Sequence, residues 1–480
     1  MKVFLIWADK KAEMRILFDA FARGGHEVLY WVGERGGEHH APKNTVFHDH
    51  YDAWAGLPAE FFANERFDPA SSVFIEKHYE LESLVLTMMN KRYDRASVDE
   101  RKQIYYNMLS YWSSVLEKLQ PEAIVFTTIP HSIYDFILYT LAREKNLKML
   151  MFEDTWVAGR LVWINDYQKG SSAFAEAVAR NKKRSISWDD IGGDLRAYYE
   201  TQAGSSPVKP AYMQAQQHAG QTWRLFWHRV AVALRALTEG NLHSLLWDFA
   251  RRILSENLKS EYMRFVRSPE WSVPFVYFPL GFQPERTTSP QGEIFHDQIL
   301  AIQTLAAALP PNWEIYIKEH PSQWWLRGKT RFSSARYRGY YERLAAIPHV
   351  RLVPIHTDSH TLIARSQTVA TITGTAGWES LFRRKRPLIF GYPWYVSAPQ
   401  IFRVASVDDC RKALSEIQRK PLASEKDLLV VLKSLEEGSM RAYIGIVRDQ
   451  FSELPYDVPI SAEASMQAVG ERIQAELATL

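Results

Sequence analysis

Residues 2–32, KVFLIWADKKAEMRILFDAFARGGHEVLYWV, contain the pattern that decides the fold. Lys2 to Ala8 is an apolar run typical of a buried strand, and Lys11 to Arg23 places apolar side chains at helical spacing. Gly24-Gly25 stops this helix, and His26 to Val32 is apolar again. The order strand, helix, glycine turn, strand predicts a β-α-β unit and therefore a parallel sheet.

The same alternation continues through residues 1–172, for which we predict an α/β domain. Its further predicted elements are a helix over Tyr105–Leu119, a strand over Ala123–Thr127, a helix over Tyr134–Lys145 and a strand over Lys148–Phe152. Polar segments follow the last two strands, at the sheet edge where α/β domains bind ligands.

A second α/β pattern begins at Val273. The predicted strands are Pro274–Pro279, Trp313–Ile317, Val350–Val353, Thr368–Ile372 and Pro387–Phe390, with helical segments between them. Five strands that alternate with helices predict a second Rossmann-like domain over residues 273–425. Helices are expected over 426–480, and residues 173–272 predict a helical insertion between the domains.

Composition restricts the class of protein. The chain has 480 residues, of which 46% are hydrophobic and 24% charged, as in soluble proteins of several domains. A formal net charge of +3 gives no reason to expect a nucleic-acid partner. The single cysteine, Cys410, cannot form an intramolecular disulfide, and the first apolar run is too short for a signal sequence, so a cytoplasmic location is expected.

The segment from Gln221 to Phe265 predicts basic amphipathic helices. Their apolar faces either pack on the two domains or bind an anionic membrane surface. In the second case Trp223 and Trp227 would insert among the lipids, and Arg224, Arg235 and Arg252 would meet the headgroups.

The stretch Thr371–Ser380, TITGTAGWES, predicts an anion site. An apolar strand runs into small residues that open a helix, and Gly374 and Gly377 let a phosphate approach the backbone N–H groups. Thr373 and Thr375 add hydroxyl donors. The alternative is a strand-to-helix turn whose small residues serve only tight packing. No Walker lysine follows, which disfavours a triphosphate hydrolase.

The sequence Lys318-Glu-His-Pro321 follows a predicted strand at the same sheet edge. His320 can donate a hydrogen bond to a phosphate, and Lys318 adds positive charge. The alternative is a histidine with a purely structural role.

The polar segment Phe278–Thr288 follows the first strand of the second domain. Gln283 and Glu285 can bind hydroxyls or the edge of a base, and Arg286 can pair with a carboxylate. Alternatively, this segment is a polar hinge between the domains.

Three motifs together resemble the bacterial capsule polysaccharide biosynthesis proteins related to Kdo transferases, Kdo being 3-deoxy-manno-octulosonic acid. These motifs are FPLGFQPE at 278–285, KEHP at 318–321 and GTAGWE at 374–379. The likeness covers about Val273 to Tyr395, and a weaker one surrounds Glu153 to Asp166. The His-Pro motif with a Ser/Thr-rich turn is also similar to bacterial sialyltransferases.

The resemblance implies a GT-B-like fold, in which two Rossmann-like domains and an inserted helical region enclose an interdomain cleft. In this family the C-terminal domain binds a CMP-sugar, which implies that His320, Pro321, Thr373, Gly374 and Thr375 contact the cytidylate phosphate. The full set of expected substrate- and nucleotide-binding residues is Gln283, Glu285, Arg286, Lys318, His320, Pro321, Thr373, Gly374, Thr375, Ala376, Gly377 and Glu379.

Transfer from a CMP-activated acid sugar requires stabilisation of a phosphate leaving group and of an oxocarbenium-like centre. His320 serves the first, and a carboxylate of the opposite domain the second. Glu153 and Asp154 end a predicted strand and are the candidates, with Asp166 and Asp135 behind them. Adjacent strand residues point in opposite directions, so we expect Glu153 to be catalytic and Asp154 to serve the backbone. No metal-binding pattern occurs, and we expect neither a metal nor a cofactor.

We therefore predict a glycosyltransferase that moves Kdo or a related acid sugar from CMP to a surface polysaccharide or lipid-linked acceptor. It would act in the cytoplasm, at the bacterial inner membrane if the basic helices bind there. The alternatives are a UDP-sugar or CDP-polyol transferase, a nucleotide-sugar 2-epimerase, and a non-catalytic capsule assembly protein.

Overall fold

The computed structural model describes residues 1–204, 257–325, 332–444 and 460–479. These residues form two sheets with helices around them, so the predicted α/β class with two Rossmann-like units is confirmed. The strands in chain order are β1 Lys2–Ile6, β2 Glu27–Gly33, β3 Val46–Asp49, β4 Ala123–Phe126, β5 Lys148–Asp154, β6 Arg160–Ile164, β7 Phe275–Pro279, β8 Glu314–Lys318, β9 Val350–Leu352, β10 Thr368–Thr371, β11 Leu388–Ile389, β12 Phe402–Arg403 and β13 Met440–Arg441.

The helices divide between the same two units. In the first part of the chain they are α1 Met14–Arg23, α2 His50–Trp54, α3 Ser72–Lys77, α4 Tyr79–Met88, α5 Val98–Leu119, α6 Tyr134–Glu144, α7 Ser172–Asn181 and α8 Gly193–Ala203. The remaining described helices are α9 Leu258–Phe265, α10 Gln298–Ala306, α11 Ser322–Trp325, α12 Tyr340–Ala345, α13 Ser359–Arg365, α14 Thr375–Leu381, α15 Val407–Arg419, α16 Glu425–Gly438 and α17 Ala462–Thr479.

The first sheet has the strand order β13-β6-β5-β4-β1-β2-β3. Strands β5, β4, β1, β2 and β3 are parallel, and β6 runs antiparallel to both β5 and β13. Because helices cover both faces, β1 and β4 are buried almost throughout, which is why they appear in the sequence as continuous apolar runs. The sequence did not predict β3, β6 or β13.

The second sheet has the order β12-β11-β10-β7-β8-β9, and all its strand pairs are parallel. The five predicted strands are present, and β12 adds a sixth of only two residues. The carboxyl ends of β7, β8 and β10 therefore lie at one edge, where each continues into one of the three quoted motifs.

Two late elements return to the first sheet. The β13 residue Met440 pairs with Leu161 of β6. Helix α17 packs along α1 so closely that a Cβ on Gly470 would lie 2.7 Å from the Cβ of Ala20. The second sheet is thus inserted between segments that belong to the first.

The described end of the predicted basic helices is α9, which packs on the second sheet. Leu258 and Tyr262 are buried there, and Glu261 accepts hydrogen bonds from the N–H groups of Gly339 and Tyr341. The predicted lipid-facing residues Trp223, Trp227, Arg224, Arg235 and Arg252 lie outside the described residues. Within the described ranges, no helix is long and apolar enough to cross a membrane.

Candidate functional site

Loops from the two sheets meet beside the ends of β4, β5 and β7. Arg286, in the loop after β7, donates hydrogen bonds to Thr128 Oγ1 after β4 and, over 3.3 Å, to Glu153 Oε1 at the end of β5. Side chains from both domains therefore face one another at this point.

Glu153 has one paired and one unpaired oxygen. Its Oε2 is buried and receives no hydrogen bond from any described residue. Burial raises the pKa of Glu153, and the Arg286 charge opposes this change. A buried carboxylate with a raised pKa and a free oxygen has the properties of a general base or of a group that stabilises a cation.

The other candidate acids make different contacts. Asp154 accepts the Ile444 N–H over 3.2 Å, and burial raises its pKa to about 7. Asp135 accepts the Ser132 N–H, and Asp166 accepts from the Tyr139 hydroxyl. Of the four predicted acids, Glu153 is the one that the described residues show bonded to the loop after β7. Asp154 serves the backbone, in the arrangement that the strand geometry predicts.

Three further residues lie in this region, and the sequence analysis did not predict them. They are Thr128, Lys91 and His131. The Nζ of Lys91 lies 3.4 Å from Glu285 Oε1. Burial of Glu285 acts to raise its pKa, but the positive charge of Lys91 holds this pKa well below its usual range. Burial lowers the pKa of His131. His131 lies in the polar segment after β4, where it could have been found, whereas nothing in the local sequence distinguishes Lys91.

Gln283 is already engaged by the protein. Its Oε1 accepts from Arg336, and its Nε2 donates to the His296 carbonyl over 2.6 Å. Arg336 and Glu319 form an ion pair with N–O distance 2.8 Å, and both side chains are fully buried. Gln283 thus belongs to the polar network that supports the loop, and its role in binding substrate stays a prediction.

His320 follows β8, and one of its two ring nitrogens is available to bind a ligand. Its Nδ1 accepts the Ser322 N–H over 3.2 Å, so the proton of the neutral ring is on Nε2. Burial lowers its pKa to about 4, which keeps the ring neutral near pH 7. No described residue accepts from Nε2. His320 can therefore donate one hydrogen bond to a ligand, and Pro321 fixes the start of the following turn.

Lys318 lies at the same edge, within a basic group. Its Nζ donates to the Thr357 carbonyl over 2.9 Å and to Ser359 Oγ, which leaves one N–H. Burial lowers its pKa to about 8 although Asp358 and Glu379 oppose the change.

Arg383 and His360 complete the basic group and were not predicted. The Nη2 of Arg383 lies 3.5 Å from His360 Nδ1, and its buried Nη1 has no partner among the described residues. Burial raises the pKa of Glu379, and Thr375, Arg383 and Lys318 act in the opposite direction. The group can accommodate an anion, because Arg383 and Lys318 retain unused donors.

The turn from Thr373 to Gly377 is packed tightly. Thr373 donates to the Thr287 carbonyl over 2.6 Å, and the Gly374 N–H donates to Thr371 Oγ1. A Cβ on Gly377 would lie 2.7 Å from the Tyr395 hydroxyl, so glycine is required by packing. These contacts favour the packing interpretation for Thr373, Gly374 and Gly377. Phosphate binding by Thr375 and Ala376 stays a prediction.

In the described part of the chain, no group of three or more His, Cys, Asp or Glu side chains could hold a metal ion.

Comparison with known proteins shows that one segment of the chain matches a protein family. Residues 290–400 match the family model of the capsule polysaccharide biosynthesis protein. No curated protein matches significantly.

Similar solved structures share low identity with the chain. They include the beta Kdo 2,7 transferase KpsC of Thermosulfurimonas dismutans, with 13% identity, a TM-score of 0.33 and coverage of 76% of this chain and 88% of that one. The beta Kdo 2,4 transferase KpsC of the same organism has 13% identity, a TM-score of 0.31 and coverage of 65% and 79%. UDP-GlcNAc 2-epimerase from Neisseria meningitidis has 11% identity, a TM-score of 0.25 and full coverage of both chains. The resemblance to capsule polysaccharide biosynthesis proteins is thus confirmed over residues 290–400, the segment that contains β8, β10 and the Gly374 turn.

Proposed function

We propose that the protein is a glycosyltransferase that moves Kdo or a related acid sugar from a CMP-activated donor to a bacterial surface polysaccharide or lipid-linked acceptor. The observation that carries the proposal is the ion pair of Glu153 and Arg286 between the two domains, with Glu153 Oε2 lacking a partner among the described residues. This contact supports a reaction in which a carboxylate of the first domain acts together with the basic edge of the second. The reaction would need neither a metal nor a cofactor.

The leaving phosphate would bind to the basic group at the end of β8. Lys318 and Arg383 supply positive charge, and His320 Nε2–H donates a neutral hydrogen bond. As the bond between the anomeric carbon and the phosphate oxygen breaks, the electron pair stays with CMP. These donors stabilise the charge that develops on its phosphate.

Glu153 would act on the other reactant. The acceptor hydroxyl attacks the anomeric carbon and loses its proton to Glu153 Oε2, while the carboxylate stabilises the oxocarbenium-like centre. Arg286 would bind the carboxylate of the acid sugar, because a guanidinium matches a carboxylate in geometry and charge. In the structure Glu153 occupies that place on Arg286, so donor binding would release Glu153 for the reaction.

Isothermal titration with CMP, UDP and CDP tests the donor class. CMP should bind most tightly. A clear preference for UDP would instead support a UDP-sugar transferase or 2-epimerase, and a preference for CDP a CDP-polyol transferase. Radiolabelled sugar retained in a larger product separates transfer from epimerisation. A protein that binds no nucleotide would be a capsule assembly protein rather than an enzyme.

His320→Ala and Thr375→Val should each weaken CMP binding by at least about tenfold, since a hydrogen bond to a charged group contributes about 1.5 to 3 kcal/mol. Calorimetry of the folded variants measures this change. His349→Asn is the matched control, because exposed His349 precedes β9 at the opposite sheet edge and Asn tolerates its φ of 64°. Unchanged CMP affinity in both test variants would show that phosphate binds elsewhere.

CMP affinity should fall as the pH rises from about 7 to about 9, because Lys318, with a pKa of about 8, loses its proton in that range. The phosphate is already dianionic above about pH 7, and His320 with a pKa of about 4 is neutral throughout. Titrations at several pH values measure the decline. Lys318→Arg keeps its charge and should abolish the pH dependence. An equal decline in both proteins would exclude Lys318 as its cause.

A further inference from the structure

A cavity of about 350 Å³ lies between the two domains, beside the loop after β7, and shares Lys91, Gln283 and Glu285 with the region described above. Its first wall is formed by residues 86–91 and Arg101, and its second by residues of the segments 283–289, 296–298 and 334–340. Neither Glu153 nor His320 borders it. A volume of this size suits one or two sugar residues.

Direct contacts between the domains join the two walls of this cavity. Thr87 Oγ1 lies 2.7 Å from Ser289 Oγ, and the Ser334 N–H donates to Asp94 Oδ1 over 2.9 Å. Both walls are therefore fixed relative to one another in this structure, and the cavity has a defined shape.

Two residues that border the cavity each carry a buried polar atom with no partner among the described residues. These atoms are Arg101 Nε on the first wall and the Tyr340 hydroxyl on the second. Arg101 is 8% exposed and Tyr340 is 3% exposed. Burial of a donor without an acceptor is costly, so such atoms indicate a missing ligand or ordered water.

The charge of Arg101 also lacks a counterpart. Its Nη1 donates to neutral oxygens, Asn90 Oδ1 at 2.7 Å and the Leu86 carbonyl at 3.3 Å. The two carboxylates that border the cavity are engaged elsewhere. Glu285 pairs with Lys91, and Asp297 caps the start of α10. In the described part of the chain, Arg101 is thus the cavity cation without an acidic partner.

We propose that this cavity binds one acidic sugar residue, with its carboxylate on Arg101 and a ring hydroxyl on Tyr340. One unmatched cation calls for a monoanion, and a carboxylate fits the donors of a guanidinium better than a neutral sugar does. Burial raises the pKa of Tyr340, so its hydroxyl keeps the proton and donates to an oxygen acceptor. The inference rests on neither CMP binding nor transfer.

Titration of the full chain with D-glucuronate, D-glucose and D-glucose 6-phosphate tests this site. Glucuronate should bind at least about tenfold more tightly than glucose, from which it differs by the carboxylate. It should also bind more tightly than the phosphate ester. Saturation with CMP should leave glucuronate affinity unchanged, since the two sites share no proposed cation. Equal binding of glucuronate and glucose would overturn the proposal, and a preference for the phosphate ester would overturn the carboxylate assignment.

Substitutions at Arg101 and Tyr340 test whether glucuronate binds in this cavity. Arg101→Gln should weaken glucuronate binding at least about tenfold, and Tyr340→Phe about three- to tenfold. Arg95→Gln is the matched control, because Arg95 is exposed and does not border the cavity. If Arg101→Gln does not fold, Tyr340→Phe decides, since it removes a single oxygen that makes no hydrogen bond to any described residue. Unchanged affinity in Tyr340→Phe, or an equal loss in Arg95→Gln, would refute the assignment.

Discussion

Glu153→Gln should lower the rate of sugar transfer by about 10² to 10⁴-fold, the usual effect of removing a positioned general base. The amide keeps the size of the side chain but cannot accept the proton of the acceptor hydroxyl. CMP affinity should be unchanged, because the proposed phosphate contacts lie at the end of β8. Initial rates with labelled donor and a parallel calorimetric titration measure the two quantities.

Asp154→Asn is the control for this variant. An asparagine Oδ1 can still accept the Ile444 N–H, so both the fold and transfer should be retained. If Asp154→Asn loses transfer while Glu153→Gln keeps it, the two residues have the opposite roles. If both variants remain active, the catalytic carboxylate is elsewhere.

Glu319→Gln should destabilise the protein by about 3 to 5 kcal/mol, because it leaves the buried Arg336 guanidinium without its counter-charge. Glu319 also accepts a hydrogen bond from the Tyr341 hydroxyl, and Arg336 donates to Gln283 and to the Gly281 carbonyl. The damage should therefore spread to the loop after β7. Urea denaturation measures the loss in free energy of unfolding.

Two further variants test whether the loss of stability comes from leaving a buried charge without its partner. The double change Glu319→Leu with Arg336→Met removes both ions and should recover much of the lost stability. Asp408→Asn disrupts an exposed pair with Arg411 and should leave the urea midpoint unchanged. A small effect of Glu319→Gln would show that Arg336 is neutralised by other groups.

The sequence predicted the parts of the fold in which burial and periodicity are strong. Strands β1, β2, β4, β5, β7 and β8 are buried enough to form continuous apolar runs, and their positions were found. β11 lies within a predicted strand but is itself two residues long. β12 and β13 are also two residues each, too short for a pattern, and β6 pairs antiparallel after a turn that gives little local signal.

Prediction of the site was limited by distance along the chain. The motif residues Lys318 and His320 could be named as candidates because Lys318 ends β8 and His320 follows it at the same sheet edge. Lys91, Arg101 and Arg383 were missed because their positions are ordinary for charged residues on helices or turns. The roles proposed for them rest on neighbours that only the folded chain brings together. Gln283 is a polar motif residue that a buried arginine engages in the folded chain, and its role in binding substrate stays a prediction.

The return of β13 and α17 to the first sheet has a consequence for synthesis on the ribosome. The Asp154 carboxylate obtains its Ile444 partner from a position 290 residues later. The edge of β6 that pairs with β13 therefore stays unpaired until the whole second domain has been translated. The first sheet begins to form early in synthesis but gains its last strand, β13, only after the second domain has been made. Folding of the second domain therefore precedes completion of the first.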